Sequence, residues 1–242
     1  MRTSGVLMPI SSLPSPYVIG TMGKAARKFV DFLKKGGQKY WQILPICPTS
    51  YGDSPYQSFS SFAGNPYFID LEILCKDKLL TKKECESFDW GGSEKYVDYG
   101  TMYVSRYALL KKAYNRFVKD IPQAYWDFCD ENREWLEEYA LFMALKDANG
   151  GAAWSQWSEE LKYRKEDALN AAKEAHVDTI NFYKMLQYLF FQQWNDLKAY
   201  ANEKGIEIIG DVPIYVAGDS ADVWANPEQF YLDEERNPID VA

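Results

Sequence analysis

The hydrophobic pattern changes period along this chain, and the changes mark out its elements. Gly5-Val6-Leu7-Met8-Pro9-Ile10 is a short apolar run, the pattern of a buried strand, and Pro14 and Pro16 break the chain in the turn beyond it. Ala25, Phe29, Phe32 and Leu33 then recur at helical spacing. A helix is expected over 22–35, started by Thr21 and ended by Gly36-Gly37 acting as a left-handed cap. Tyr40-Trp41-Gln42-Ile43-Leu44-Pro45 reads as a second strand. Strand, helix and strand in this order form a βαβ unit, whose strands should run parallel with a right-handed crossover.

A long loop rich in Ser, Gly, Tyr and Phe covers 49–70. Loops of this length are functional or disordered, and the aromatic content argues against disorder. Helical patterns follow at 81–88, 102–119, 123–132, 135–148, 155–161 and 166–175. The βα rhythm then resumes with a long helix over 179–204, capped by Asp178 and ended by Gly205. Its buried stripe is Ile180, Met185, Leu186, Leu189, Phe190, Trp194, Leu197 and Ala201. Ile206-Glu207-Ile208-Ile209 reads as a third strand, running into the exit loop Gly210-Asp211-Val212-Pro213-Ile214-Tyr215-Val216. Three parts are therefore expected: 1–71 as strand, helix, strand and loop; 72–175 as a helical insertion; and 176–242 as long helix, third strand and loops. The fold class is α/β, and the three strands read as the beginning of an incomplete (β/α)8 barrel.

Composition removes several function classes. No apolar run approaches the ~18 residues needed to span a bilayer, and the N-terminus lacks the zones of a leader peptide. A soluble cytoplasmic protein without membrane contact is expected. A net charge of −8 provides no basic field for nucleic acid. The cysteines, Cys47, Cys75, Cys85 and Cys129, form no close pair in sequence, and His176, in a charged stretch, is the single histidine. They read as reduced thiols in or near the core and a surface histidine, with no metal site. Aromatic residues make up 16% of the chain, including 8 Trp and 18 Tyr. Such rings suit the apolar faces and hydroxyl rims of sugars, although composition alone favours an aromatic-rich core.

Ligands of parallel α/β folds bind beyond the carboxyl ends of the strands. The segments expected there are 11–17, 49–58 and 211–215, all polar and aromatic, which suits a polyhydroxylated ligand. Asp211 opens its loop directly after an apolar strand. It either bonds nearby backbone N–H groups or accepts two sugar hydroxyls. Asp53, between Gly52 and Ser54, more readily orders its loop than touches a ligand. Tyr56 follows Pro55, which stiffens the backbone and makes the ring a stacking platform.

Gly52-Asp53-Ser54-Pro55-Tyr56-Gln57-Ser58, followed by Phe62-Ala63-Gly64-Asn65-Pro66-Tyr67, resembles the signature loop of the 4-alpha-glucanotransferases, the family of amylomaltase and plant disproportionating enzyme. Ser11-Ser12-Leu13-Pro14-Ser15-Pro16-Tyr17, Trp41-Gln42-Ile43-Leu44-Pro45, Gly210-Asp211-Val212-Pro213-Ile214-Tyr215-Val216 and Ser220-Ala221-Asp222-Val223-Trp224-Ala225-Asn226-Pro227 are similar to further motifs of that family, in order. The resemblance implies transfer of alpha-1,4-glucan segments between malto-oligosaccharides by retaining double displacement, without cofactor or metal. It implies that Tyr56 and Asp211 contact the sugar at the cleavage point with Ser54 beside them, and that Tyr51 belongs to a second glucan-binding groove.

The same resemblance locates the nucleophile, the acid/base and a third aspartate on later strands, whose motifs are absent from these 242 residues. No catalytic residue is therefore expected within the chain. The expectation is the N-terminal portion of such an enzyme, with the rest of the barrel as a partner, or an inactive fragment that still binds malto-oligosaccharide. Val18, Cys47 and Arg236 stand where the family usually has glycine, which matters wherever the backbone needs positive φ.

Overall fold

The structure, a computed structural model, describes residues 2–50, 52–93 and 95–239. In chain order the elements are β1 (Gly5–Leu7), α1 (Lys24–Lys35), β2 (Tyr40–Gln42), α2 (Leu71–Lys76), α3 (Lys82–Glu86), α4 (Tyr99–Phe117), α5 (Gln123–Glu131) and α6 (Arg133–Ala148). There follow α7 (Glu159–Lys162), α8 (Glu166–Ala175), α9 (Val177–Glu203), β3 (Glu207–Ile209) and α10 (Ala221–Ala225). They form two compact units. The first comprises Met1–Ile46, Asn65–Pro122 and Tyr188–Val212; the second comprises Cys47–Gly64, Gln123–Gln187 and Pro213–Ala242. The segment expected as one helical insertion, 72–175, is thus shared between the two. No strand longer than an isolated bridge occurs among its described residues.

The first unit is built on a parallel sheet of order β1-β2-β3. Val6, Trp41 and Ile208 stand in register, as do Leu7, Gln42 and Ile209. Side chains alternate faces along a strand, so these two rows point to opposite sides. Trp41 is fully buried, donates its indole N–H to the Met8 carbonyl at 2.8 Å and meets the Phe29 ring edge-on at 5.2 Å. Leu7 is 53% exposed and Ile209 43%. The expectation of a buried strand therefore fails for β1, where Leu7 is open, and β3 is likewise open at Ile209. β1 and β2 are also shorter than their apolar runs, which continue past the last paired residue into loop.

Ala26, Val30 and Leu33 form the buried stripe of α1. Phe32, expected on that stripe, is 64% exposed at its margin and stacks on Phe29 at 6.2 Å. Gly37, at φ 69, ends the helix in the left-handed region that glycine enters without strain. Asp70 caps α2 by accepting the Ile73 N–H at 2.9 Å and accepts the Thr21 hydroxyl at 2.6 Å. Gln193 of α9 accepts from the Asp70 N–H at 2.6 Å and donates to its carbonyl at 3.3 Å. Arg106 of α4 is fully buried and donates to the carbonyls of Pro66 and Ile69. Burial pushes its guanidinium down to about 10, so it stays charged at neutral pH.

In the second unit α6 is the central helix, buried from Tyr139 to Lys146. Phe142, Trp157 and Trp224 surround one another with ring centroids 5.5–5.9 Å apart. Lys146 is itself buried and reaches Asp219 at 2.6 Å and the Ala152 carbonyl at 3.2 Å, so its charge is paired. The helix expected over 155–161 divides into a 3-10 turn at Trp154–Gln156 and α7. His176 is half-buried at the end of α8, and its carbonyl accepts the Ile180 N–H of α9 at 2.9 Å. Asp178 is not the cap of α9 but lies in its first turn, where the helix dipole favours a carboxylate. The apolar stripe of α9 is buried as expected, except that Trp194 is only half-buried.

Candidate functional site

The loop after β2 is organised by short-range bonds. Thr49 bridges Ser58, and the Ser50 N–H donates to the Gln57 carbonyl at 3.0 Å. Inside this frame the Asp53 N–H donates to the Ser50 carbonyl at 3.2 Å and the Gln57 N–H to the Ser54 carbonyl at 3.2 Å. Gly52 and Asp53 both take positive φ, 82 and 54. Glycine does so freely and aspartate is among the residues that tolerate it, which explains this residue pair at the tip. Partial burial raises the Asp53 carboxyl above its usual range.

Ser54 and Tyr56 are brought together, with the Tyr56 N–H donating to Ser54 Oγ at 3.3 Å. Tyr56 is 46% exposed and follows Pro55, which restricts the backbone here. Tyr51 lies outside the described residues.

Downstream, serines continue to order the chain. Ser58 Oγ donates to the Ser60 carbonyl at 2.7 Å, and Ser60 Oγ accepts the N–H groups of Phe62 and Ala63 at 3.1 and 3.3 Å. Asp222 of α10 accepts the Ser61 N–H at 2.7 Å, and Gln187 grips Gly64 through both backbone groups. Burial raises the Asp222 carboxyl, with the Ser61 N–H opposing it. These tethers bridge 123 and 161 residues of sequence, a separation at which pattern reading has no signal.

Asp211 follows β3 in the first unit and is half-buried. Its Oδ1 accepts the Val212 N–H at 2.9 Å, the loop-ordering bond that the sequence left open beside ligand binding. Beyond it Val212 is 76% exposed; in the second unit Ile214 is 89% and Tyr215 65% exposed. The loop after β1 forms a 3-10 turn at Ile10–Ser12 and carries Tyr17, buried with its ring 5.2 Å from Trp90. A groove of about 1110 Å³ runs along this loop past Tyr96 and Tyr99.

Two of the three glycine departures fall where they matter. Val18 takes φ 61 and Arg236 φ 62, both left-handed. Cys47 is not among the described residues of positive φ. Arg236 is compensated: its guanidinium donates to the Lys162 carbonyl at 2.8 Å and sits 5.3 Å over the Tyr163 ring. Val18 is β-branched, for which this conformation is a genuine outlier. Among the described residues, no cluster of three or more His, Cys, Asp or Glu could hold a metal, and no helix is long and apolar enough to cross a membrane.

The molecule is thus a mixed α/β protein on a three-stranded parallel sheet, with Ser-, Asp- and Tyr-bearing loops following its strands. A family profile described as 4-alpha-glucanotransferase matches residues 8–237. The 4-alpha-glucanotransferase of Clostridium butyricum is 49% identical over 236 residues, covering 97% of this chain and 48% of the relative. That of Thermus thermophilus is 48% identical over 245 residues, covering 100% and 48%. The solved amylomaltase from Streptococcus agalactiae in complex with acarbose superposes with a TM-score of 0.97 at 42% identity, over 100% of this chain and 49% of that one. The chain belongs to the 4-alpha-glucanotransferase family. It spans about half the length of the curated relatives it matches.

Proposed function

We propose that this protein is a 4-alpha-glucanotransferase that moves alpha-1,4-glucan segments between malto-oligosaccharides by retaining double displacement, and that residues 1–242 hold the sugar rather than supply the reacting carboxylates. In this reading β1, β2 and β3 are the first strands of a (β/α)8 barrel, 72–175 is a helical insertion, and the family resemblance gives Tyr56, Ser54 and Asp211 each a role in binding sugar. Tyr51 belongs to a second glucan groove. The chemistry needs no cofactor or metal, and a cytoplasmic setting suits cysteines that are all free.

The observation that carries the reading is the turn at 54–56. It lies within the family match, it is braced by Pro55 and by the bond to Ser54, and Tyr56 is 46% exposed. Stiff aromatic rings bind sugar faces with little loss of conformational freedom. Retaining transfer requires two carboxyl groups about 5 Å apart, one ionised and one protonated. The family resemblance makes Asp211 a hydroxyl acceptor rather than one of that pair.

The test is to incubate the purified 242-residue protein with maltotriose, resolve the products, and measure malto-oligosaccharide binding by calorimetry. The expected result is no disproportionation, together with weak binding that is lost in Tyr56→Ala and weakened in Asp211→Asn. Glucose and longer maltodextrins that vanish in Asp211→Asn would make Asp211 part of the reaction itself. Binding indifferent to both substitutions would overturn the site.

A further inference from the structure

The two thiols of the α2–α3 hairpin lie face to face. Cys75, in the last turn of α2, and Cys85, inside α3, have sulfurs 3.7 Å apart. Cys85 is fully buried while Cys75 is half-buried, so Cys75 is the more accessible member of the pair. Among the described residues neither Cys47 nor Cys129 faces a second sulfur in this way; Cys47 meets the Ser61 carbonyl at 3.7 Å.

Cys85 is also joined to the loop that follows β1. The Trp90 indole N–H donates to the Cys85 carbonyl at 2.9 Å. Tyr17 and Trp90 are themselves in contact, with centroids 5.2 Å apart. Cys85 therefore anchors the Trp90 ring and, through it, Tyr17, the last residue of the 11–17 loop.

We infer that Cys75 and Cys85 are a thiol–disulfide modification site, oxidised by small-molecule disulfides to an internal bridge whose formation is felt at Tyr17. The chemistry balances through two exchanges. The Cys75 thiolate attacks one sulfur of the small disulfide, forming a mixed disulfide and releasing one small thiolate. The Cys85 thiolate then attacks the Cys75 sulfur, forming the Cys75–Cys85 bond and releasing the second. The two protein thiol protons end on the two released thiols; the protein pair is oxidised and the small disulfide reduced.

A disulfide bond is about 2 Å long, so the sulfurs must approach by about 1.7 Å. The turn 77–81 absorbs this movement, being exposed at Asp77 and Lys78, with Lys78 at a positive φ of 62. Burial and the neighbouring Cys75 push the Cys85 thiol up to about 12, so the second exchange is slow at neutral pH. Slow closure suits a pair that stays reduced unless the surroundings remain oxidising. Drawing Cys85 toward Cys75 also shifts the carbonyl that Trp90 bonds, and so loosens the Tyr17 loop packed on that ring.

The inference stands apart from the glucan reading, and its test does not need activity. The folded protein is equilibrated with oxidised glutathione, alkylated, digested and mapped by mass. The expected product is a 75–85 cross-linked peptide, a loss of about 2 Da and of two of the four reactive thiols, reversed by dithiothreitol. Cys75→Ser should abolish the bridge, whereas Cys47→Ser should leave it intact. Four alkylated cysteines, or glutathione left on Cys75 without an internal bridge, would overturn the site. Amide exchange across 13–20 should quicken several-fold on oxidation; an unchanged rate in the bridged protein would overturn the link to Tyr17.

Discussion

The side-chain amide of Gln187 holds both backbone groups of Gly64, accepting its N–H at 2.7 Å and donating to its carbonyl at 3.0 Å. Gln187 is fully buried, so no water replaces it. Gln187→Leu keeps the apolar contacts of α9 and strands two buried backbone groups, each costing ~1–3 kcal/mol. A loss of about 2–4 kcal/mol is expected in urea unfolding, read as a lower midpoint at unchanged slope.

Val18 and Arg236 offer a matched pair of glycine substitutions. A non-glycine residue at left-handed φ costs about 1–2 kcal/mol, and glycine returns about 0.5–1 kcal/mol of that through chain entropy. Val18→Gly should therefore stabilise by roughly 0.5–1 kcal/mol. Arg236→Gly removes the bond to the Lys162 carbonyl and the stacking on Tyr163 as well as the strain, so it should not stabilise. Equal gains at both positions would show that the Arg236 contacts contribute nothing.

The ion pair of Arg116 and Glu84 should appear in acid. Hydrogen bonds from Arg116 and Thr81 pull the Glu84 carboxyl from 4.5 down to about 2. A depressed carboxylate contributes stability that is fully present above the unfolded value and is lost as pH falls through the folded one. The difference in urea midpoint between wild type and Glu84→Gln should be steady above pH 4.5 and shrink toward pH 2. It stays modest, because the pair is partly solvated.

Asp222 has the opposite sign. Burial raises its carboxyl, so ionisation is disfavoured in the folded state and stability is lost as pH rises through its titration. Asp222→Asn keeps an oxygen for the Ser61 N–H and removes the charge, so at neutral pH it should match or exceed wild type. Asp222→Ala forfeits the bond and should lose about 0.5–1.5 kcal/mol. Comparing the two by thermal unfolding separates the bond from the charge.

Helices were legible where side chains declare the ends. Thr81 and Glu84 form a reciprocal capping box at the start of α3, and glycines of positive φ follow α1 and α9. Asp178 misled because an acidic residue is favoured both as a cap and one turn inside. The strands were found, but the burial expected of β1 was not: an apolar run says which residues avoid water, not whether a second layer covers them. Leu7 and Ile209 show the difference. At the candidate site, Tyr56 and Asp211 were legible as residue types in strand-end loops. The Gln187 clamp and the Asp222 tether were not, since polar side chains that meet across more than 100 residues leave no local pattern.

The sheet register also sets a timetable for folding. β1 and β2 join residues about 35 apart, whereas β2 and β3 join residues about 170 apart, a difference in loop-closure entropy of roughly 1.4 kcal/mol. During synthesis the β1–β2 pair can therefore assemble while most of the chain is still unmade. Trp41 stands at the centre of that early pair, beside a helix that is already complete. β3 arrives last and must find β2 after the whole helical region has emerged. The kinetic hazard of this molecule is thus a waiting β2 edge, open to the wrong strand until Glu207–Ile209 reaches it.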